Sequence, residues 1–371
     1  MDAAAPPFTP LVAGLPARVP FVGPEAQERA RGAPFRARLG ANESLFGPSP
    51  AAIAAMRAAA AEAWAYGDPE AHALRSAIAA HAGAPLDGVV AGEGIDGLLG
   101  VAARLFLEPG AVAVTSAGAY PTFVYHAAGC GARVATAPYR DDREDWAALA
   151  ALARETDARV VYLANPDNPM GGWITGAEVA AFLDALPPRC IAFLDEAYGE
   201  FAPAEAHAAV DPDDPRAIRF RTFSKAHGLA GLRVGYALAA PEIARAFDRL
   251  RNHFGLGRVA QAGALAALAD GAWLTEVVAR TAAARGRIAA IGAASGLAAL
   301  PSATNFVALD CGAGARARAI LDGLLARGVF VRMPGVAPLD RCIRVTAGDA
   351  AALDVFAEAL PEAVAAASTA G

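Results

Sequence analysis

The chain has 371 residues, 55% of them hydrophobic and 19% charged, so it is long enough for two domains or for one large domain with a smaller partner. A net charge of −6 argues against nucleic acid or an anionic membrane as the main partner. No run of about 18 strongly apolar residues predicts a membrane span, and the N-terminus lacks the basic and apolar regions of a secretory signal.

The cysteines and histidines show no spacing typical of metal ligands. The four cysteines are scattered and form no CxxC pair, which is typical of buried, reduced thiols in a cytosolic protein and not of a zinc site or a disulfide framework. None of the six histidines recurs at a ligand spacing. The sequence therefore predicts a cytoplasmic protein without a metal centre.

The predicted elements begin after an irregular N-terminal arm. Residues 1–43 include this arm, which is rich in Pro, Ala and Arg, and we assign them to the arm and to part of a smaller domain. A helix is predicted over 50–64, with Ser49 as its N-cap and a proline at its first position. Further helices are predicted at 73–82 and 95–106.

Short apolar runs then alternate with helical segments. Their unbroken apolar character is typical of strands buried on both faces, and the alternation predicts an α/β fold with a mostly parallel sheet between helices. The predicted strands are residues 111–114, 159–164, 190–195, 217–223 and 233–239. We assign residues 44–270 to this large domain. Beyond it, a long helix, three short strands and two more helices predict a smaller α+β domain over 271–371.

One lysine, Lys225, stands in a chain that otherwise uses arginine for its basic side chains. A guanidinium does not lose its proton near neutral pH, because its pKa stays above about 12. A primary amine can do so once burial or a neighbouring cation lowers its pKa, and it can then form a Schiff base with a carbonyl. Lys225 is therefore a candidate covalent catalyst, with an ordinary surface lysine as the alternative.

Two segments of the sequence are suited to a phosphate. Thr222 and Ser224 lie next to the lysine at the end of a predicted strand, and Arg233 follows eight residues after it. Residues 91–97 form a Gly-rich turn that opens a helix, where free backbone N–H groups and the helix dipole favour an anion. The turn alone is a weak signal, because a plain Gly-rich loop has the same composition.

Polar side chains also follow two of the predicted buried strands. The run NPDNPMG at 165–171 contains two Asn-Pro pairs, which make a rigid turn and direct amide groups into the crevice where α/β sheets bind ligands. A structural turn is the alternative. Asp195 and Tyr198 lie in LDEAY at the end of the next strand, where a carboxylate requires a cation or a hydrogen-bond donor.

Together these groups fit one cofactor. The turn, the two hydroxyls and Arg233 suit a phosphate, and Lys225 suits an aldehyde. Asp195 suits a pyridine nitrogen, and Asn168 with Tyr198 suits a phenolate oxygen. Pyridoxal 5′-phosphate is the common cofactor that carries all four groups.

The chain resembles the fold-type I, class I/II pyridoxal-phosphate-dependent aminotransferases, and most closely their histidinol-phosphate aminotransferase branch. The resemblance covers nearly the whole chain and implies a mostly parallel, seven-stranded sheet with a smaller C-terminal domain. It rests on the motifs LGANE (39–43), GPSP (47–50), YGDPE (66–70), NPDNPMG (165–171), LDEAY (194–198), FSKAHGLAGLRVG (223–235), SATNF (302–306) and IRVTAG (343–348).

The resemblance implies roles at the matching positions. The catalytic residues would be Lys225, which binds the cofactor covalently and moves the substrate's proton, Asp195, which keeps the ring nitrogen protonated, and Tyr198. Arg344 would hold the substrate α-carboxylate, and Asn42 would line the substrate side. The cofactor-binding residues would be Gly94, Ile95, Asp96, Phe123, Asn168, Asp195, Tyr198, Thr222, Ser224, Lys225, Arg233 and, from the second subunit of a homodimer, Tyr66.

The implied reaction is a ping-pong transfer of an amino group between small molecules. The donor would be histidinol phosphate or a related or aromatic amino acid, and the acceptor 2-oxoglutarate. Threonine-phosphate decarboxylases resemble the same branch, so decarboxylation is the first alternative. A non-catalytic regulator is the second, although such regulators usually carry a DNA-binding module for which the N-terminal arm is too short.

Two assignments stay open at the level of sequence. The ring that stacks on the cofactor is predicted to be Phe123, with Tyr120 as the alternative. Arg332 is either a cation for a distal anion of the substrate or a surface residue.

Overall fold

The computed structural model describes residues 6–17, 21–208, 211 and 213–369. Its strands are β1 (Ala37–Arg38), β2 (Val89–Gly92), β3 (Val112–Ser116), β4 (Arg133–Ala137), β5 (Val160–Ala164), β6 (Ile191–Asp195), β7 (Ala217–Thr222), β8 (Gly235–Ala239), β9 (Ala298–Ala299), β10 (Phe306–Asp310), β11 (Val329–Phe330) and β12 (Cys342–Thr346). Its helices are α1 (Pro10–Ala13), α2 (Pro24–Arg31), α3 (Pro50–Ala60), α4 (His72–Ala82), α5 (Gly94–Phe106), α6 (Thr122–Gly129), α7 (Trp146–Glu155), α8 (Gly176–Ala185), α9 (Pro241–Phe247), α10 (Arg258–Ala269), α11 (Gly271–Ala294), α12 (Gly314–Ala326) and α13 (Ala350–Thr369).

Seven strands form a central sheet in the order β2-β8-β7-β6-β5-β3-β4. Neighbouring strands are parallel from β7 to β4, and β8 runs antiparallel to both of its neighbours. The predicted α/β fold with a mostly parallel, seven-stranded sheet is therefore confirmed.

Two strands of this sheet are absent from the sequence prediction. Strand β2 has only four residues and runs directly into the Gly-rich turn, and β4 is an edge strand that is buried only at its last residue. Neither strand has the long apolar run that reveals a strand covered on both faces. The helix predicted over 50–64 ends at Ala60, and turns follow it.

Helices cover both faces of the central sheet, because successive residues of each strand point to opposite sides. In β5, Val160, Tyr162 and Ala164 pack in one cluster with residues of α5, α6 and α9. Val161 and Leu163 pack in a second cluster with residues of α7 and α8. This double burial explains why the central strands are apolar along their whole length.

The C-terminal elements pack around a separate hydrophobic cluster, the C-terminal cluster. Strands β12, β10 and β9 form an antiparallel sheet, and α11, α12 and α13 contribute buried residues to the same cluster. Strand β1 pairs in parallel with β11, and Ala37 and Leu39 belong to this cluster too. The division into a smaller unit of residues 1–43 and 271–371 and a larger one of 44–270 stays a prediction, and residues 1–5, 18–20, 209, 210, 212, 370 and 371 lie outside the described part.

Within the described residues, no single helix has the length and apolar composition needed to cross a membrane. Helices α10 and α11 meet that requirement only as a pair, by length and composition alone, and they are bent by 79° at the break between them.

The carboxyl ends of β5, β6 and β7 lie side by side. Ala164 pairs with Asp195, and Asp195 pairs with Phe220. The loops that leave these strand ends carry the NPDNPMG turn, Tyr198 and Lys225. Ligands of open α/β sheets bind at this edge, so the fold brings the predicted motifs to one place.

Truncation of Phe356 tests the packing of α13. The Phe356 side chain is fully buried in the C-terminal cluster, so Phe356→Ala is expected to lower the free energy of unfolding by about 3–5 kcal/mol. Glu358→Ala on the same helix is the control, because its carboxylate forms only an exposed ion pair with Arg36, and such pairs contribute little to stability. Urea denaturation of both variants measures the difference, and equal midpoints would contradict the assigned packing.

Candidate active site

A cavity of about 680 Å³ opens at the carboxyl edge of the central sheet. Its volume lies within the range of small-molecule sites, about 300–1,000 Å³. Of the residues predicted for the site, its wall contains Asn42, Ile95, Asp96, Asn168, Asp195, Tyr198, Thr222, Ser224, Lys225, Arg233 and Arg344. Segments far apart in the sequence therefore meet at one cavity.

The amine of Lys225 lies at this wall, and the residue is partly buried. Its Nζ donates a hydrogen bond to the Asn42 carbonyl at 3.1 Å and lies 5.7 Å from the centre of the Tyr198 ring. Burial and the positive charge of Arg344 lower the pKa of Lys225 to about 8. About a tenth of this amine is thus unprotonated at pH 7, far more than for an ordinary lysine, and the unprotonated form is the one that acts as a nucleophile or a general base.

The carboxylate of Asp195 is buried at the end of β6. One oxygen accepts a hydrogen bond from the Tyr162 hydroxyl at 2.6 Å, and the other accepts one from the Ala197 amide at 2.9 Å. No cation of the described chain forms an ion pair with it. Burial therefore raises the pKa of Asp195 to about 6, and a cationic N–H group of a ligand would restore its ionised form.

Tyr198 is placed to donate a proton into the cavity. Its oxygen accepts hydrogen bonds from the Asn42 amide at 2.9 Å and from the Asn168 amide at 3.5 Å. Among the described residues this hydroxyl donates to none, so its proton is available to a ligand oxygen. Burial raises the pKa of Tyr198 to about 12, which keeps the phenol protonated at neutral pH.

An anion-binding corner is formed by the start of α5 and the loop after β7. Glu93 precedes α5 without a side-chain cap, so the first N–H groups of this 13-residue helix remain available. The Arg233 guanidinium donates to the Ser224 hydroxyl at 3.1 Å, and the Thr222 hydroxyl accepts from the Ser224 amide at 3.0 Å. Asp96 lies 3.7 Å from Arg233, so the guanidinium has a partner there as well.

Gly94 allows this corner to close. Its φ of +72° lies in the left-handed region, and a Cβ atom at this position would come within 2.5 Å of the Arg233 guanidinium. Arg233 itself has a φ of +54°, which is uncommon for a residue with a long side chain. The close approach of these two residues explains why a glycine stands at the start of the helix.

Arg344 supplies a partly buried positive charge at the cavity wall. Its guanidinium donates to the Asn168 side-chain oxygen at 2.5 Å and to the Gly40 carbonyl at 3.2 Å, and it lies 5.1 Å from the centre of the Phe306 ring. No described carboxylate forms an ion pair with it, and its Nε has no hydrogen-bond partner. Burial lowers the pKa of Arg344, so an anionic ligand group would be stabilised here.

The expectation that Phe123 stacks on the cofactor is corrected by the structure. Its ring is fully buried beneath the sheet, where it stacks on Tyr162 with centroids 5.0 Å apart, and it does not line the cavity. Tyr120, the alternative, does line the cavity, and its hydroxyl donates to Asp96 at 3.3 Å. The turn before α6 places Tyr120 at the cavity wall, and the sequence of this turn does not reveal which of the two rings faces the cavity.

Two predicted residues have distinct surroundings. Arg332 lines the cavity, donates to the Val22 carbonyl at 2.6 Å and lies over the Phe21 ring at 5.8 Å. Tyr66 does not line the cavity of its own chain. Its side chain is 78% exposed and packs against Phe254 with centroids 4.6 Å apart.

Buried polar groups behind the cavity were not predicted from the sequence. The sequence pattern around Tyr162 is that of an apolar strand and does not mark it as a site residue, although a buried hydroxyl in such a run requires a hydrogen-bond partner. Glu144 and Asp167 form a buried carboxyl pair, held by the hydroxyls of Ser116 and Tyr139 respectively. Burial raises the pKa of both carboxyls, and the negative charge of Asp167 raises the pKa of Glu144 further.

The reactivity of Lys225 tests this electrostatic picture. In the cofactor-free protein, acylation of Lys225 by an amine-selective reagent is expected to reach half its maximal rate at about pH 8, against about 10.4 for an ordinary lysine. Because Arg344 lowers the pKa, Arg344→Gln is expected to raise this midpoint, whereas Arg318→Gln at an exposed position of α12 should leave it unchanged. Mass spectrometry of the peptide that contains Lys225 measures the rate. An ordinary lysine midpoint in the unaltered protein would disprove the burial of the amine.

Removal of the Asp195 charge is expected to stabilise the cofactor-free protein. Because the folded-state pKa is raised, the folded protein binds more protons than the unfolded chain between about pH 4 and 6, so stability falls as the pH rises through this window. The Asp195→Asn variant does not lose stability as the pH rises through this window. Its free energy of unfolding at pH 7 should therefore exceed that of the unaltered protein by an amount on the order of 2 kcal/mol. Urea denaturation at several pH values checks this, with the exposed Asp184→Asn as control. A difference that does not change with pH would contradict the assigned cause.

Comparison with known proteins gives the family of the chain. The family model described as aminotransferase class I and II matches residues 37–360. The histidinol-phosphate aminotransferase of Anaeromyxobacter sp. (strain Fw109-5) is 38% identical over 344 residues, which cover 91% of this chain and 94% of the relative. The crystal structure of histidinol-phosphate aminotransferase from Sinorhizobium meliloti in complex with pyridoxal-5′-phosphate is 53% identical, has a TM-score of 0.95, and covers 98% of this chain and 99% of its own. The chain therefore belongs to the class I and II aminotransferase family.

Proposed function

We propose that the protein is a pyridoxal-phosphate-dependent aminotransferase that transfers an amino group from histidinol phosphate to 2-oxoglutarate by a ping-pong reaction. One observation carries the proposal: a single cavity holds the only lysine, a buried carboxylate without a cation and a partly buried arginine without an anion in the described chain. The names and sequence identities of the relatives support the choice of reaction and donor.

The residues of the cavity fit pyridoxal phosphate. The N–H groups at Gly94, Ile95 and Asp96, together with Thr222, Ser224 and Arg233, would bind its phosphate. Asp195 would accept from the ring N–H, and Asn168 and Tyr198 would donate to the phenolate oxygen. When bound, the protonated ring supplies a sink for the electron pair that the substrate's Cα–H bond leaves behind.

Lys225 would move the proton in this reaction. Its lowered pKa leaves part of the amine free near neutral pH, so Nζ can accept the proton from the substrate Cα and later return a proton to the other reacting carbon. Asp195 would assist only by keeping the ring nitrogen protonated, because its carboxylate is engaged by Tyr162 and Ala197. The acid–base work is therefore assigned to one side chain.

Arg344 and Arg332 are the two guanidinium groups at the substrate side of the cavity. Arg344 would hold the α-carboxylate of the amino-acid partner, for which its missing counter-ion makes it suited. Arg332 would meet an anion at the far end of a substrate, since burial lowers its pKa and an added negative charge would stabilise the guanidinium. Asn42 lines the same side with its amide already bonded to Tyr198.

We further infer that the enzyme works as a homodimer in the cytoplasm. The exposed Tyr66 and Trp64 and the half-exposed Phe254 make an aromatic surface of the kind that subunit interfaces cover. In such a dimer Tyr66 would reach the phosphate of the neighbouring site. The four cysteines are all free thiols, in keeping with a reducing compartment.

A titration followed by a donor panel tests the proposed function. Addition of pyridoxal phosphate to the cofactor-free protein is expected to give the absorbance of a covalently bound cofactor. Histidinol phosphate should then convert it to the aminated form, and 2-oxoglutarate should reverse the change. Glutamate, phenylalanine and O-phosphothreonine complete the panel. Carbon dioxide release from O-phosphothreonine without a reversible spectral change would favour the decarboxylase instead.

Lys225→Arg is expected to abolish turnover although it preserves the positive charge, because a guanidinium can neither attach to an aldehyde nor accept a proton near neutral pH. The loss of acid–base catalysis alone should exceed about 10²-fold. Arg318→Gln, at an exposed position of α12, is the matched control. Steady-state rates with histidinol phosphate measure the effect, and near-normal turnover by Lys225→Arg would rule out the assigned role.

A further inference from the structure

Asn42 occupies an unusual backbone conformation next to Lys225. Its φ of 56° lies in the left-handed region, where asparagine is tolerated better than most residues, and it is only 2% exposed. Its carbonyl accepts from Lys225 Nζ at 3.1 Å, and its side-chain amide donates to Tyr198 at 2.9 Å. One residue therefore touches both the amine and the phenol of the proposed catalytic set.

Thr346, at the end of β12, fixes this conformation of Asn42 through two hydrogen bonds. Its hydroxyl accepts from the Asn42 backbone amide at 3.1 Å and donates to the Asn42 side-chain oxygen at 3.1 Å. Thr346 is 1% exposed and belongs to the ladder with β10, so its β-branched side chain has little freedom to move. The two bonds hold both the main chain and the side chain of Asn42.

Asn305 holds the carbonyl of Asn42 from the other side. Its amide donates to that carbonyl at 3.0 Å and to the Glu43 carbonyl at 3.5 Å. A carbonyl oxygen has two lone pairs, so the Asn42 oxygen can accept from Asn305 and from Lys225 at once. Asn305 is 2% exposed and immediately precedes β10.

We propose that Thr346 and Asn305 are positioning residues that orient Asn42, so that its carbonyl fixes the Lys225 amine while its side chain fixes Tyr198. Neither residue lines the cavity, so each acts through Asn42. The catalytic importance of this arrangement rests on the proposed function, but the arrangement itself is a property of the protein without cofactor. It links the C-terminal sheet, through Asn42, to the amine of Lys225 in the loop after β7.

The test measures the pKa of Lys225 in cofactor-free protein by the rate of acylation against pH. Because this is the only lysine, one peptide reports the result. Thr346→Val preserves the shape of the side chain and removes both bonds to Asn42. Loss of the carbonyl acceptor disfavours the ammonium form, so the midpoint is expected to fall by about one pH unit. Thr346→Ser retains the hydroxyl and should keep the original midpoint.

Asn305→Leu provides an independent variant, because its branched apolar side chain removes the donor to the Asn42 carbonyl. A lower midpoint is expected here too, and the effects of Thr346→Val and Asn305→Leu should not add, since both act on one residue. Far-UV circular dichroism and thermal unfolding check that each variant is folded. An unchanged or raised midpoint in the folded variants overturns the proposal. Inactivity of the loaded enzyme toward every donor would instead overturn the proposed function and leave this measurement intact.

Discussion

Removal of water from charged groups at the carboxyl edge of the central sheet is the constraint on which this site depends. Lys225, Asp195 and Arg344 share one cavity, and burial shifts the pKa of each toward its neutral form. Hydrogen bonds from or to neutral partners hold the three groups, and none of them has an ion-pair partner in the described chain. A cofactor with a ring cation and an aldehyde, together with a substrate that has a carboxylate, would complement all three, which is why the positions of these residues are informative about chemistry.

The same site uses uncommon backbone conformations where segments must approach closely. Gly94 and Arg233 both have positive φ at the anion-binding corner, and Asn42 has positive φ beside the amine. At Gly94 the reason is steric, since a side chain would meet the Arg233 guanidinium. At Asn42 the conformation is held by hydrogen bonds to a threonine and an asparagine. Positive φ thus occurs at residues that orient functional groups, although Ala71, Asp141, Asp142 and Asp157 also adopt it away from the cavity.

Most of the fold and much of the site follow from the sequence, for reasons that individual residues make clear. Strands β5, β6 and β7 are recognisable because both of their faces are buried, and their ends carry the polar motifs. Tyr120 and Phe123 could not be separated, because three residues in one turn decide which ring faces the cavity. No hydrophobic pattern in the sequence marks edge strand β4, and none indicates the hydrogen bond of the Tyr162 hydroxyl to Asp195. Their roles depend on neighbours that only the folded chain supplies.

Strand β12 shows how a small sheet can serve a site on a larger one. Ile343 and Val345 point into the C-terminal hydrophobic cluster, so the alternating residues Arg344 and Thr346 must point the other way. Arg344 reaches the cavity wall, and two positions later Thr346 supports Asn42. Because alternate residues of a strand share a face, β12 places the proposed carboxylate-binding cation and the residue that supports Asn42 on the same side. A shift of β12 by one residue would bury Arg344 in the cluster and remove both functions together.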